Sequence, residues 1–67
     1  MPTWAIHWTD AARPRHAAGV ELVDADELRS TARWHVFERV EVVLLEPRWV
    51  VVRRVLRRDA AKVERAH

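Results

Sequence analysis

The stretch VEVVLLEPRWVVVRRVL, residues 40–56, decides how this chain folds. Valine and leucine fill it, and consecutive apolar residues occupy 42–45 and 50–52. Because β-branched side chains fit a pleated, half-buried surface, the stretch predicts two strands of a hairpin. We place the break between the strands at residues 46–48, since the proline there cannot donate to a central ladder.

The second strand, residues 49–56, is predicted to alternate between two faces. The side chains expected on one face are Trp49, Val51, Arg53 and Val55. Those expected on the other face are Val50, Val52, Arg54 and Leu56.

The centre of the hairpin is apolar on both faces, whereas an antiparallel sheet with one wet face alternates apolar and polar residues. A chain of 67 residues buries only about 60% of its unfolded surface, so it covers one face more readily than two. We therefore expect a second subunit or a protein partner to close one face. The candidate contact residues are Val43, Leu45, Trp49 and Val51. The alternative is that residues 24–33 and the C-terminal segment cover both faces.

Four arginines end the hairpin and follow it: Arg53, Arg54, Arg57 and Arg58. Guanidinium groups match phosphate geometry, so these residues are candidates for binding nucleic acid or an acidic partner, with Trp34 or Trp49 as a stacking surface. The alternative is that they are charged residues that keep a valine-rich hairpin from aggregating. Neighbours on a strand point to opposite faces, so Arg53 and Arg54 are not expected to form one patch.

The rest of the chain predicts short elements around the hairpin. Alternation predicts strands over 4–8, 20–23 and 34–45, and Pro14 and Gly19 mark a loop over 10–19. We favour a short helix over 24–33, with a strand at 27–30 as the alternative, and a terminal helix over 58–66. Residues 1–67 are therefore expected to form one α+β, mostly β domain. It would have a small antiparallel sheet or open barrel of three to five strands and one or two short helices.

Composition limits the classes of function. Hydrophobic residues at 49% and charged residues at 33% are typical of a globular chain, and the net charge is only +2. No cysteine is present, so disulfides and thiolate zinc sites are excluded. The N-terminus lacks the pattern of a signal peptide, and the longest wholly apolar run is far below the ~20 residues of a membrane span. A cytoplasmic location away from membranes is expected.

The sequence gives little support for catalysis or metal binding. The four histidines, His7, His16, His35 and His67, are scattered, and none has the short spacing of a metal site. Gly19 is the only glycine, so there is no phosphate-binding loop, and the single serine lacks a nucleophile motif. We expect no enzyme activity, cofactor or metal. The favoured function is a small protein-interaction module, accessory or regulatory, that forms an oligomer, most simply a homodimer. The alternative is a small basic nucleic-acid-binding protein.

Overall fold

The computed structural model describes residues 2–15 and 19–66, which form two antiparallel three-stranded sheets. The strands of the first sheet are β1 (Thr3–Trp8), β2 (Val20–Asp24) and β6 (Ala60–Arg65), in the order β2-β1-β6. Those of the second sheet are β3 (Glu27–Ser30), β4 (Trp34–Val43) and β5 (Glu46–Leu56), in the order β3-β4-β5. The mostly β, antiparallel architecture is confirmed. The predicted helices are wrong, because the described residues contain only two single 3₁₀ turns, Arg13–Arg15 and Arg57–Asp59.

The segment 24–33 forms β3 instead of the favoured helix. Asp26 helps to join this segment to β4. Its backbone N–H donates to the Glu38 carbonyl at 2.9 Å, and its carboxylate accepts from the Val40 N–H at 2.8 Å. Pairing with β4 therefore outweighs the modest helix propensity of the segment.

The segment 58–66 also forms a strand. β6 runs along β1, with Ala60 opposite Trp8 and Arg65 opposite Trp4. Val63 packs on the core from this strand. Tertiary pairing again outweighs helix propensity.

The hairpin turns two residues earlier than predicted. Leu44 and Leu45 form the turn, with φ angles of 52° and 66°, and β5 begins at Glu46. Positive φ at both central residues is what a two-residue type I′ turn requires. Pro47 lies within β5, which tolerates it because β5 is an edge strand.

A β-bulge changes which face the β5 side chains occupy. Val51 pairs with Glu38, but Arg53 pairs with Phe37, so β5 has one extra residue at this point. The prediction that Arg53 and Val55 share a face with Trp49 and Val51 is therefore wrong. Arg53 and Val55 point to the side opposite Val51, towards the first sheet.

The core lies where the first sheet packs against the base of the hairpin. Ile6 and Phe37 are its largest fully buried side chains. The Trp4 ring meets Phe37 edge-on with centroids 6.3 Å apart, and its indole N–H donates to the Ala25 carbonyl at 3.1 Å. We call the hairpin face that carries Phe37 and Val55 the inner face, and the opposite face the outer face.

The hairpin extends well beyond this core. Its buried residues all lie at its base, at positions 36, 37 and 55, and residues 40–52 include none. We call residues 40–52 the arm. The radius of gyration is 12.9 Å and the longest dimension is 43 Å, whereas a compact 67-residue domain has a radius of gyration of about 11 Å. The fold therefore presents the arm to solvent.

Candidate interaction surface

The outer face of the arm is an apolar strip. Val40 lies opposite Trp49, and Val42 lies opposite Pro47. Directly opposite residues of an antiparallel pair share a face, and by strand alternation Val51 lies on the same face as Trp49. Val42 is 68% exposed and Trp49 is 54% exposed. The outer strip is thus defined by Val40, Val42, Pro47, Trp49 and Val51.

The inner side of the arm is more polar. Glu41 lies opposite Arg48, and Val43 lies opposite Glu46. Arg39 forms an ion pair with Glu41 along the same side. The inner side, which also carries Val43 and Val50, therefore mixes charged and apolar residues, whereas the outer side of the arm carries no charged residue.

The tip of the arm combines exposure with backbone strain. Leu44 is 92% exposed and Leu45 is 94% exposed. A left-handed conformation costs a non-glycine residue about 1–2 kcal/mol. Strained residues concentrate at binding and switch sites, so an exposed Leu-Leu turn marks the tip as a candidate contact point.

The four predicted contact residues fall in three places. Trp49 and Val51 lie together on the outer strip. Val43 lies on the opposite side of the arm, and Leu45 lies at the tip. Val40 and Val42 were not among the predicted contact residues. Their alternation is visible in the sequence, but the residues opposite them on β5 depend on the position of the turn, which was predicted wrongly.

The arginines are divided between the two faces, as strand alternation predicts. On the inner face, Arg53 donates two hydrogen bonds to the Glu21 carboxylate, at 2.9 and 3.2 Å, and so joins the two sheets. On the outer face, the Arg54 guanidinium lies 5.0 Å from the centre of the Trp34 ring. A single row of four basic side chains is not formed.

A groove of about 550 Å³ lies at the base of the hairpin. It is lined by Ala32, Arg33, Trp34, Leu56, Arg57 and Arg58. The Arg57 guanidinium donates to the Thr31 carbonyl at 2.9 Å, which orients that side chain. Arg58 is exposed and lies 3.9 Å from the Asp59 carboxylate. We call this feature the basal groove. Arg33 was not among the predicted site residues, because only folding brings it beside Arg57 and Arg58.

Two titratable side chains have shifted pKa values. Partial burial, and then the positive charge of Arg57, lower the pKa of His35, whose Nδ1 lies 2.8 Å from the Ser30 hydroxyl. Hydrogen bonds from Lys62 and His7 lower the pKa of the exposed Glu64 carboxyl on the first sheet.

Within residues 2–15 and 19–66 no three histidine or acidic side chains are grouped as metal ligands would be. His16 and His67 lie outside the described residues. No helix in the described part of the chain has the length and hydropathy needed to cross a membrane. Comparison with family models, curated proteins and solved structures found no match to this chain.

Proposed function

We propose that this protein is a small interaction module that associates through the outer strip of its arm, with a homodimer as its basic form. The observation that carries the proposal is the arm itself. It holds an apolar strip beyond the reach of the chain's own core, with an exposed tryptophan at its centre.

The composition of the strip is that of a protein contact. Buried centres of interfaces are depleted in charge and enriched in aromatic residues, and a tryptophan commonly supplies much of the binding energy. Trp49 has aliphatic neighbours on the same face in Val40 and Val51. Charged groups border the strip at the base, where Glu38 pairs with Arg29 at 3.0 Å. This order, an apolar centre with a charged border, suits a reversible contact.

A second copy is the partner that the physical argument favours. A chain of 67 residues has a small core, and oligomerisation is a usual support for such domains when disulfides are absent. The same surface on two copies makes a closed, isologous contact. The accessory or regulatory role and the cytoplasmic location expected from the sequence stay predictions.

Two neighbouring valines provide the test. Val42→Glu places a charge on the outer strip, whereas Val43→Glu places the same charge on the inner side of the arm. Both positions are exposed, so both variants are expected to fold. Multi-angle light scattering should give a dimer for the wild type and Val43→Glu and a monomer for Val42→Glu. A monomeric wild type at millimolar concentration, or equal masses for the two variants, would contradict the proposal.

Nucleic-acid binding is the second candidate, favoured by the three arginines around Trp34 in the basal groove. Against it stand the ion pair that occupies Arg53 and the net charge of only +2. Fluorescence anisotropy with a labelled single-stranded oligonucleotide tests it. Nucleic-acid binding requires an affinity that falls steeply with salt and that is lost in the double substitution Arg33→Glu/Arg58→Glu. No binding at low salt removes this candidate.

A further inference from the structure

We propose that the basal groove binds a ligand in which a terminal phosphate group is joined to a flat ring, the chemistry of a nucleotide. The phosphate contacts the arginines of the groove, and the ring stacks on Trp34. This inference goes beyond the proposed function, because the groove lies at the base of the hairpin whereas the outer strip lies on the arm. Each of the two can therefore be tested without the other.

The arginines around Trp34 stand out because they lack close carboxylate partners. Three other arginines of the sheets each pair with a glutamate at ion-pair distance. In the described part of the chain, the Asp59 carboxylate, 3.9 Å from Arg58, is the only one within ion-pair distance of the guanidinium groups around Trp34. Positive charge that is not neutralised locally attracts an anion. These guanidinium groups are those of Arg33, Arg54, Arg57 and Arg58.

Hydrogen bonds fix the two walls of the groove against each other. One wall is the turn between β3 and β4, where the Thr31 N–H donates to the Trp34 carbonyl at 2.8 Å and the Trp34 N–H donates to the Thr31 hydroxyl at 3.0 Å. The other wall is residues 56–58. The Arg57 backbone N–H donates to the Arg33 carbonyl at 2.9 Å, and the Arg57 guanidinium donates to the Thr31 carbonyl at 2.9 Å. The groove is therefore formed before a ligand enters, which lowers the cost of binding.

The charged border of the groove suits a terminal phosphate. A guanidinium group is a planar fork of N–H donors that matches phosphate oxygens. Three such groups line the groove. A terminal phosphate has three acceptor oxygens and a charge of about −1.5 to −2 at neutral pH. A carboxylate has two oxygens and a single charge, so it satisfies three arginines less completely.

The Trp34 indole gives the groove a stacking surface. The Arg54 guanidinium lies 5.0 Å from the centre of this ring, in a second cavity of about 180 Å³, and does not line the basal groove. The indole therefore lies between that cation and the groove, where Ala32 and Leu56 add apolar surface. Flat rings such as nucleobases stack on aromatic side chains in this setting. The groove volume of about 550 Å³ is within the usual size of small-molecule sites.

Isothermal titration calorimetry with adenosine 5′-monophosphate tests the inference. Arg33→Gln and Arg58→Gln should each weaken binding at least about tenfold, because each removes charged hydrogen bonds to the phosphate. Arg48→Gln is the matched control. Arg48 is exposed on the arm and forms no ion pair with a described residue, so its loss should leave the affinity unchanged. Equal weakening in all three variants, or no binding by the wild type at about 10 mM ligand, would overturn the inference.

The stacking contact has its own test. Trp34→Leu should weaken binding of adenosine 5′-monophosphate at least about fivefold and leave the affinity for inorganic phosphate unchanged, because leucine keeps the apolar surface but does not stack. Retained phosphate binding shows that the variant is folded. In the wild type, the nucleotide should shift the indole N–H resonance of Trp34 and leave that of Trp49 in place. Wild-type affinity for the nucleotide in Trp34→Leu would contradict the inference.

Oligonucleotides distinguish the source of the phosphate. A 5′-phosphorylated oligonucleotide that binds more tightly than the mononucleotide supports the inference with a strand end as the ligand, and equal or weaker binding supports it with a free nucleotide. An oligonucleotide with hydroxyl ends that binds as tightly as the phosphorylated one would overturn the inference in favour of backbone binding.

The outcomes also separate this inference from the proposed function. Val42→Glu changes the arm only, so this variant should bind adenosine 5′-monophosphate as the wild type does. A monomeric wild type that binds the nucleotide would refute the dimer and support the groove. A dimer that binds no nucleotide would refute the groove and leave the proposed function standing.

Discussion

Val40 and Trp49 lie directly opposite each other on the hairpin, and both remain exposed, at 37% and 54%. A cross-strand pair of this kind contributes about 0.2–1 kcal/mol to a sheet. Its position beyond the core means that a substantial part of its apolar surface stays in contact with water in a single chain. The pair is therefore expected to contribute more to the stability of an interface than to the stability of the monomer.

Trp49→Ala should separate association from folding. We expect the free energy of unfolding of the monomer to fall by less than about 1 kcal/mol, since the side chain is outside the core. Dimerisation should weaken at least about tenfold, as for an interface hot spot. Trp8→Ala is the contrast, because Trp8 is buried and its loss should cost about 3–5 kcal/mol and unfold much of the protein. Chemical denaturation at low concentration and light scattering at high concentration measure the two effects. An equal loss of stability in both variants would contradict this assignment.

The leucine turn is expected to lower the stability of the monomer and to strengthen its association. Replacing Leu44-Leu45 with Asn-Gly gives the turn the residues that a type I′ geometry prefers. We expect the monomer to gain about 1–2 kcal/mol from relief of the positive-φ strain. We also expect dimerisation to weaken, since the two aliphatic side chains are lost.

Leu44→Ala/Leu45→Ala is the matched control for the turn. It removes the same side chains but keeps a Cβ at both strained positions, so it should weaken dimerisation without stabilising the monomer. Thermal unfolding and sedimentation give the two quantities. A stabilised Asn-Gly variant that dimerises as well as the wild type would show that the leucines serve no contact.

Stability should fall when the pH drops below 6.5. Burial and Arg57 lower the pKa of His35 in the folded protein below its usual value of 6.5. The unfolded chain therefore binds a proton more readily than the folded chain. The contribution of His35 is fully present above pH 6.5 and is lost as the pH falls through the folded-state pKa.

His35→Gln removes this titration. Its free energy of unfolding should change less than that of the wild type between pH 7.5 and 5.5, a range chosen to lie above the ordinary titration of carboxyl groups. Denaturant titrations across that range measure the difference. Parallel curves for the two proteins would mean that His35 titrates normally.

The sequence predicted strands best where alternation was clean. β1, β2, β4 and most of β5 were expected, because valine, tryptophan and isoleucine recur there with period two. For the segments that form β3 and β6, the favoured prediction was a helix, and it was wrong. Their four and six residues have fair helix propensity, and only pairing with a distant strand makes them extended.

The turn and the bulge explain why the candidate site was only partly predictable. Leu44 and Leu45 carry no turn signature, whereas Pro47 does, so the turn was placed at the wrong residues. No residue type marks the bulge opposite Phe37, yet it decides that Arg53 faces Glu21 and not the outer strip. The sequence showed that the hairpin has apolar residues on both faces. Which face carries the exposed apolar strip depends on the register of the two strands.

Residue-resolved oxidative footprinting of the wild-type protein tests the central claim most directly. Trp49 on the outer strip and Leu22 on β2 are both well exposed in a single chain, so hydroxyl radicals should modify both at micromolar concentration. When the protein is concentrated to the millimolar range, modification of Trp49 should fall sharply relative to that of Leu22. Modification of Trp49 that stays constant relative to Leu22 across the whole range would contradict association through the arm.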